Sequence, residues 1–160
     1  MQFRGRVILV AAIVLALAAS LPAASAGKVV VQRGIAGVHL QMTPDQVRDV
    51  LGSPRGVKNG RNPVGRYFEY HYSGLLIRFQ GLKYVTLIST NRKSERTGNG
   101  IGVGSTKAQV RAKFTGARCR TGLGARLCYV GVLKPGLRAT IFYLNDRNRV
   151  NRVAVGLVSD

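Results

Sequence analysis

Between residues 67 and 89 apolar and polar side chains take turns: Tyr67-Phe68-Glu69-Tyr70-His71-Tyr72, then Leu75-Leu76-Ile77-Arg78-Phe79, then residues 82–89. Period-two patterning rich in aromatic and branched residues, broken by Ser73-Gly74 and Gln80-Gly81, predicts three strands joined by tight turns. Similar material returns at residues 127–133, 137–144 and 149–158, divided by Lys134-Pro135-Gly136 and Asn145-Asp146-Arg147-Asn148. A two-residue turn at Ser73-Gly74 fixes the register of the first hairpin. Tyr72 then opposes Leu75, Tyr70 opposes Ile77 and Phe68 opposes Phe79, an apolar set fit for a core. Glu69 opposes Arg78 on the other side, beside Tyr67, His71, Leu76 and Gln80, and that side is expected to face solvent.

A different period precedes each strand block. Gln41-Met42-Thr43-Pro44-Asp45-Gln46-Val47-Arg48 returns as Gly104-Ser105-Thr106-Lys107-Ala108-Gln109-Val110-Arg111, with Thr43 and Thr106 63 residues apart. Thr-x-x-Gln is a helix start: the Thr side chain caps the first turn and the Gln side chain reaches back to the Thr N–H. Pro44 suits the first helical position, and Met42 is placed to pack on Val47. Val47, Val50 and Leu51 share one helical face, as do Val110 and Phe114, and Gly52 and Gly116 are expected stops. The expected fold is therefore α+β: two tandem units, each a short helical part packed on a three- to four-stranded antiparallel sheet. The first unit spans 27–90 and the second 100–160, with residues 91–99 as an exposed linker.

Residues 1–26 stand outside this pattern. Arg4 and Arg6, an apolar run over 7–19 and Ala24-Ser25-Ala26 read as a secretory leader with its cleavage site. The mature chain is then expected outside the cytoplasm, secreted or in the cell envelope, without a membrane span. Lys+Arg number 25 against 6 Asp+Glu, a formal charge of +19, which becomes +17 without Arg4 and Arg6. At 46% hydrophobic residues the chain can still bury a core, so the charge belongs on a folded surface. Such a surface attracts envelope polyanions or acidic proteins, although no run of basic residues marks a specific nucleic-acid site. Cys119 and Cys128 are the two cysteines. In an oxidising compartment they are expected to form a disulfide; a reactive or metal-binding thiol is the weaker alternative, neither cysteine lying in a C-x-x-C arrangement.

Catalytic patterns are absent. His39 and His71 have no metal-ligand spacing with each other or with the cysteines. Gly98-Asn99-Gly100-Ile101-Gly102-Val103-Gly104-Ser105-Thr106-Lys107 fails as a phosphate loop because Lys follows Thr, and it reads as the approach to a helix. Arg55, Lys58, Arg61 and Arg66, just ahead of Tyr67, Tyr70 and Tyr72, form a basic stretch interleaved with aromatics that would suit a polyanion. No metal, cofactor or catalytic residue is expected.

The two copies of the Thr-x-x-Gln-Val string, with Val103-Gly104-Ser105 ahead of the second and Cys119 after it, resemble the tandem units of the beta-lactamase inhibitory protein family and the related small outer-membrane assembly lipoprotein fold (SmpA/OmlA-like). The resemblance implies helices packed on antiparallel sheets, a concave sheet surface that grips a protein, and a second-unit disulfide placed like Cys119–Cys128. The chain departs from that family in having no Trp, no acidic residue at the Ser73-Gly74 turn, Gln41 where glycine is expected, and no first-unit cysteine pair. No contact residue carries over. The expected function is a non-catalytic binding or adaptor module recognising a protein partner through its sheet face. Binding of an anionic envelope polymer is the alternative, and a small secreted enzyme the weaker one. The candidate surface is Tyr67, Glu69, His71 and Arg78, with Arg55, Lys58, Arg61 and Arg66.

Overall fold

A computed structural model describes residues 28–81, 83–122 and 124–158; the leader expected over 1–26 lies outside the described residues. The described residues open with three short strands, β1 (Lys28–Val30), β2 (Gly34–Ile35) and β3 (Val38–His39), followed by helix α1 (Pro44–Leu51). An antiparallel run follows: β4 (Gly56–Asn62), β5 (Gly65–Tyr72), β6 (Leu75–Gln80) and β7 (Tyr84–Thr90). After β8 (Arg96–Thr97) and α2 (Lys107–Lys113) comes a second run, β9 (Arg118–Gly122), β10 (Ala125–Gly131), β11 (Arg138–Leu144) and β12 (Val150–Leu157).

The expected α+β fold of two helix-plus-sheet units is overturned. The molecule is mostly β, and the two runs join edge to edge through β7 and β12 into one eight-stranded antiparallel sheet, β4-β5-β6-β7-β12-β11-β10-β9. Small side chains permit the join. Ser89 opposes Ala154 and Leu87 opposes Gly156, where an added Cβ would come within 2.9 Å of the Leu87 side chain. The segment expected as an exposed linker also differs: it contains β8, which pairs in parallel with β1 in a small sheet ordered β3-β2-β1-β8, and it buries Glu95 and Thr97.

The helix starts form as the sequence predicts. Both are capping boxes: Gln46 N–H donates to Thr43 Oγ1 at 3.3 Å while Thr43 N–H donates to Gln46 Oε1 at 2.9 Å. The corresponding distances at Thr106 and Gln109 are 3.1 and 2.8 Å. α1 is capped by Gly52, whereas α2 is capped by Phe114, ahead of the expected stop at Gly116. The chain leading into each helix is laced to the last strand of the run that follows. Gln41 and Met42 exchange backbone hydrogen bonds with Val85, as Gly104 and Ser105 do with Val150.

The core lies on one side of the large sheet. Val47 of α1, Val110 of α2 and Val29, Ile35 and Val38 of the small sheet join Tyr70, Ile77, Phe79, Ile88, Phe142, Val153 and Val155 in one buried cluster. The first hairpin has the predicted register, with Tyr72 opposite Leu75, Tyr70 opposite Ile77, Phe68 opposite Phe79 and Glu69 opposite Arg78. Phe68 and Phe79 stack at 4.5 Å between centroids, and Phe114 meets Phe142 at 5.7 Å. Thr140 is fully buried on this face, its hydroxyl accepting from the Gln32 N–H at 2.7 Å.

Candidate functional site

With helices and small sheet on the inner side, the outer face of the large sheet is the surface left to present side chains. Strand alternation fixes what stands there. One line across the sheet reads His71, Leu76, Ser89, Ala154, Ile141, Tyr129, Arg118. The next reads Lys58, Glu69, Arg78, Leu87, Gly156, Ala139. Arg152, Tyr143, Leu127 and Arg120 form a further line on the β12 to β9 side.

This face is concave. The turn after β4 and the turn between β10 and β11 line one cavity of about 330 Å³, through Val64 and Pro135, over Arg78 and Leu87. In a flat sheet β4 and β11, five strand steps apart, would be separated by roughly 24 Å. Curling therefore brings the two turns over the centre. A second hollow of about 570 Å³ lies toward the other half, lined by Asn91, Thr121, Arg126, Tyr143 and Arg152.

Three arginines lie over three tyrosines on this face. The Arg78 guanidinium stands 4.4 Å from the Tyr67 ring centroid, Arg152 is 3.9 Å from Tyr143, and Arg120 is 5.9 Å from Tyr129. Stacking of this kind holds a long cation flat and lets it cover apolar surface. Ala139, Ala154 and Leu127 are buried although they point away from the core, and Leu76, Leu87 and Ile141 are half-buried. Glu69 does not face solvent as expected. Arg78 donates to its Oε1 from Nε at 2.9 Å and from Nη2 at 2.7 Å, while His71 Nε2 lies 3.0 Å from its Oε2. Glu69 is 8% exposed and both its carboxylate oxygens are engaged.

The predicted surface residues separate. Tyr67, Glu69, His71 and Arg78 stand together on the concave face, and Lys58 joins them opposite Glu69. Arg55 precedes β4 and is anchored by its N–H to the His71 carbonyl, while Arg61 and Arg66 oppose each other near the tip of the β4–β5 hairpin on the alternate face. Tyr143 with Arg152 and Tyr129 with Arg120 were missed. The alternation in residues 127–133 and 137–144 was the available signal, but only the β7–β12 join puts it on the same surface as Tyr67.

An enzymatic reading would require His71 or His39 beside a carboxylate in a cleft. His71 meets the first condition, yet its neighbours across the sheet are Gly56 and Leu76, and the two oxygens of its carboxylate are already bonded. Cys119 and Cys128 are direct cross-strand partners joined by a disulfide, which staples the edge strand β9 to β10. Among the described residues no group of three or more His, Cys, Asp and Glu could hold a metal, and no helix is long and apolar enough to cross a membrane.

No known family model and no curated protein matches the chain. Two solved structures align with it over most of its length. A DUF4309 family protein (YjgB) from Bacillus subtilis subsp. subtilis str. 168 does so at 15% identity and a TM-score of 0.48, covering 77% of this chain and 84% of its own. The uncharacterized protein yfeY from Escherichia coli does so at 15% identity and a TM-score of 0.48, covering 79% of this chain and 95% of its own.

Proposed function

We propose that the chain works outside the cytoplasm as a non-catalytic module that recognises a protein partner through the concave face of its large sheet. The observation that carries this reading is the trio of Arg–Tyr stacks around a half-buried apolar centre. Tyrosine and arginine carry much of the energy at protein interfaces, and stacked side chains lose little freedom on binding. A concave sheet gripping a protein is also what the resemblance to the beta-lactamase inhibitory protein family implies; inhibition of such an enzyme is not part of the proposal.

Binding to an anionic envelope polymer is the second reading, favoured by the charge of +19. The basic residues do not share one surface, however. Lys58, Arg78, Arg118, Arg120 and Arg152 stand on the concave face, but Arg111 and Lys113 lie on α2, and Arg61 and Arg66 at the β4–β5 tip on the alternate face. An even spread favours a discrete interface over a polyanion track.

A pull-down from envelope and secreted material, eluted with rising salt, separates the two. A protein interface predicts one discrete protein that survives high salt, is lost with Tyr67→Ala and with Tyr143→Ala, and is retained by Arg111→Ala/Lys113→Ala. Elution of everything at moderate salt, with equal losses wherever a charge is removed, would identify the charge itself as the determinant.

A further inference from the structure

The registers of the large sheet align its two halves residue by residue. In β6–β7, Thr86 is the unpaired residue between the pairs Arg78–Leu87 and Phe79–Val85; in β11–β12, Asn151 is the unpaired residue between Tyr143–Arg152 and Leu144–Val150. Val85 and Val150 are also the residues that bond the chain leading into α1 and into α2. The row just past each bulge therefore reads Lys58, Glu69, Arg78, Leu87 in the first half and Arg120, Leu127, Tyr143, Arg152 in the second. Where the first half carries a carboxylate, the second carries Leu127.

That exchange leaves an arginine without an acid. Arg78 is half-buried and donates twice to Glu69, whereas Arg152 is exposed and stands over Tyr143 at 3.9 Å. Arg152 takes no part in the ion pairs of the described residues, which use Arg48, His71, Arg78, Arg92 and Arg126. Stacking covers a face of a guanidinium and leaves its N–H edge for a planar acceptor. Arg152 lines the hollow of about 570 Å³ with Asn91, Thr121, Tyr143, Arg126 and Asp146. Arg126 and Asp146 meet only at 4.0 Å, and the Asp146 side chain is fully exposed. Two cations and one anion leave the lining with one positive charge in excess. A carboxylate matches that excess, while a phosphate of charge about −2 exceeds it and is repelled by Asp146.

We propose that the partner supplies the missing acid: a side-chain carboxylate of the partner protein enters this hollow and pairs with the Arg152 guanidinium, as Glu69 pairs with Arg78 within the chain. The proposal rests on the concave face being a protein-binding surface, and it names the chemistry that this face selects. The two halves then have separate tasks. In the first, Arg78 is held by Glu69 and has its acid already. In the second, the same pair is left half-made, so an acidic side chain on the partner completes it and a neutral one does not.

The test is a titration of the disulfide-intact protein, followed by NMR through its backbone amides and arginine Nε–H groups. Three probes are used: a capped tripeptide with glutamate between two leucines, its glutamine counterpart, and inorganic phosphate. The glutamate peptide is expected to move the Arg152 Nε–H and the Tyr143 and Thr121 amides, and to bind about fivefold more tightly than the glutamine peptide, the size of one exposed ion pair. Arg152→Gln should abolish that preference, while Arg111→Ala/Lys113→Ala should change it less than about twofold. The comparison of the two peptides on the parent needs no variant to fold. Equal affinity for both peptides, no shift at Arg152, or tighter binding of phosphate than of the glutamate peptide would each overturn the pairing. If both peptides bind on the concave face and Arg152→Gln weakens neither, the carboxylate fails while protein recognition stands. If the glutamate peptide and phosphate instead shift exposed arginines on every face alike, both readings fall together.

Discussion

The two halves of the large sheet solve the same local problems with different chemistry. In both, a Thr-capped helix precedes a four-stranded run, and the chain leading into the helix is bonded to the last strand of that run. This lead-in requires a left-handed residue, supplied by Gly104 (φ 93°) in the second half and by Gln41 (φ 73°) in the first. The outermost strand of each run is polar and exposed, yet β9 is covalently stapled to its neighbour while β4 is held by its ladder and by the Asn62–Gln80 side-chain amide pair. The helix ends differ as well: the Tyr72 hydroxyl donates to the Gly52 carbonyl at 3.0 Å beyond α1, whereas Phe114 after α2 stacks on Phe142. One backbone plan thus accommodates a different lead-in residue, a different edge fastening and a different helix end in its two halves.

The largest difference to break is the staple. Cys119→Ser/Cys128→Ser is expected to cost about 2–3 kcal/mol in chemical denaturation, the entropy of a short closed loop. Hydrogen exchange should then accelerate along β9 and leave β4 unchanged. Equal acceleration at both edges would mean that the disulfide steadies the sheet as a whole. Next come the caps: Thr43→Ala and Thr106→Ala should each cost about 1 kcal/mol. Thr106→Ala should cost the more, because Pro44 keeps the first turn of α1 pre-set and Lys107 has no such effect.

How far these features were legible in the sequence depends on whether a strand buries a face. β5 and β6 alternate cleanly, so their register and inward set Tyr70, Ile77 and Phe79 could be read residue by residue, although β5 begins at Gly65, ahead of the expected Tyr67, and β6 runs on to Gln80, expected in the turn. β4 reads Gly-Val-Lys-Asn-Gly-Arg-Asn and is exposed over most of its length, leaving no burial pattern to read. It exists because β5 offers it a ladder, and its charge protects an open edge. The β7–β12 join was equally hidden, since it turns on the space at Gly156 and links residues far apart in sequence. The candidate site followed suit: Tyr67, Glu69, His71 and Arg78 were legible as one face of one hairpin, and the stacks in the second half were not. The Thr-capped helix starts were legible because their hydrogen bonds are local.

The left-handed lead-in is the third contrast. A residue with a Cβ held at positive φ carries a cost of about 1 kcal/mol that glycine avoids. Gln41→Gly should therefore raise stability by about 0.5 kcal/mol, the gain being reduced by the lost 3.3 Å contact from Arg138 to the Gln41 side chain and by the added freedom of the unfolded chain. Gly104→Ala should lower stability by about 1 kcal/mol through its backbone alone, because an added Cβ there meets nothing within 4 Å. Changes of the same sign at both positions would show that the two lead-ins are not equivalent.

The smallest expected effect concerns the two helix ends at high pH. Burial raises the pKa of Tyr72 above its ordinary 10.0; the neighbouring Tyr70 adds to the rise and Arg48 opposes it. The folded state thus holds this proton more tightly than the unfolded chain. Its contribution is complete below the ordinary phenol pKa and is lost as pH rises through the higher folded value. Deprotonation also removes the donor to Gly52, so α1 should loosen at its C-terminal end while α2, held there by two phenyl rings, should not. Amide exchange and stability followed across the alkaline range in the parent and in Tyr72→Phe would check this. The parent should lose stability relative to Tyr72→Phe only above pH 10.0, and the amides at the end of α1 should account for it. Parallel alkaline decline in the two proteins would place the titrating group elsewhere and leave the two helix ends alike in their response.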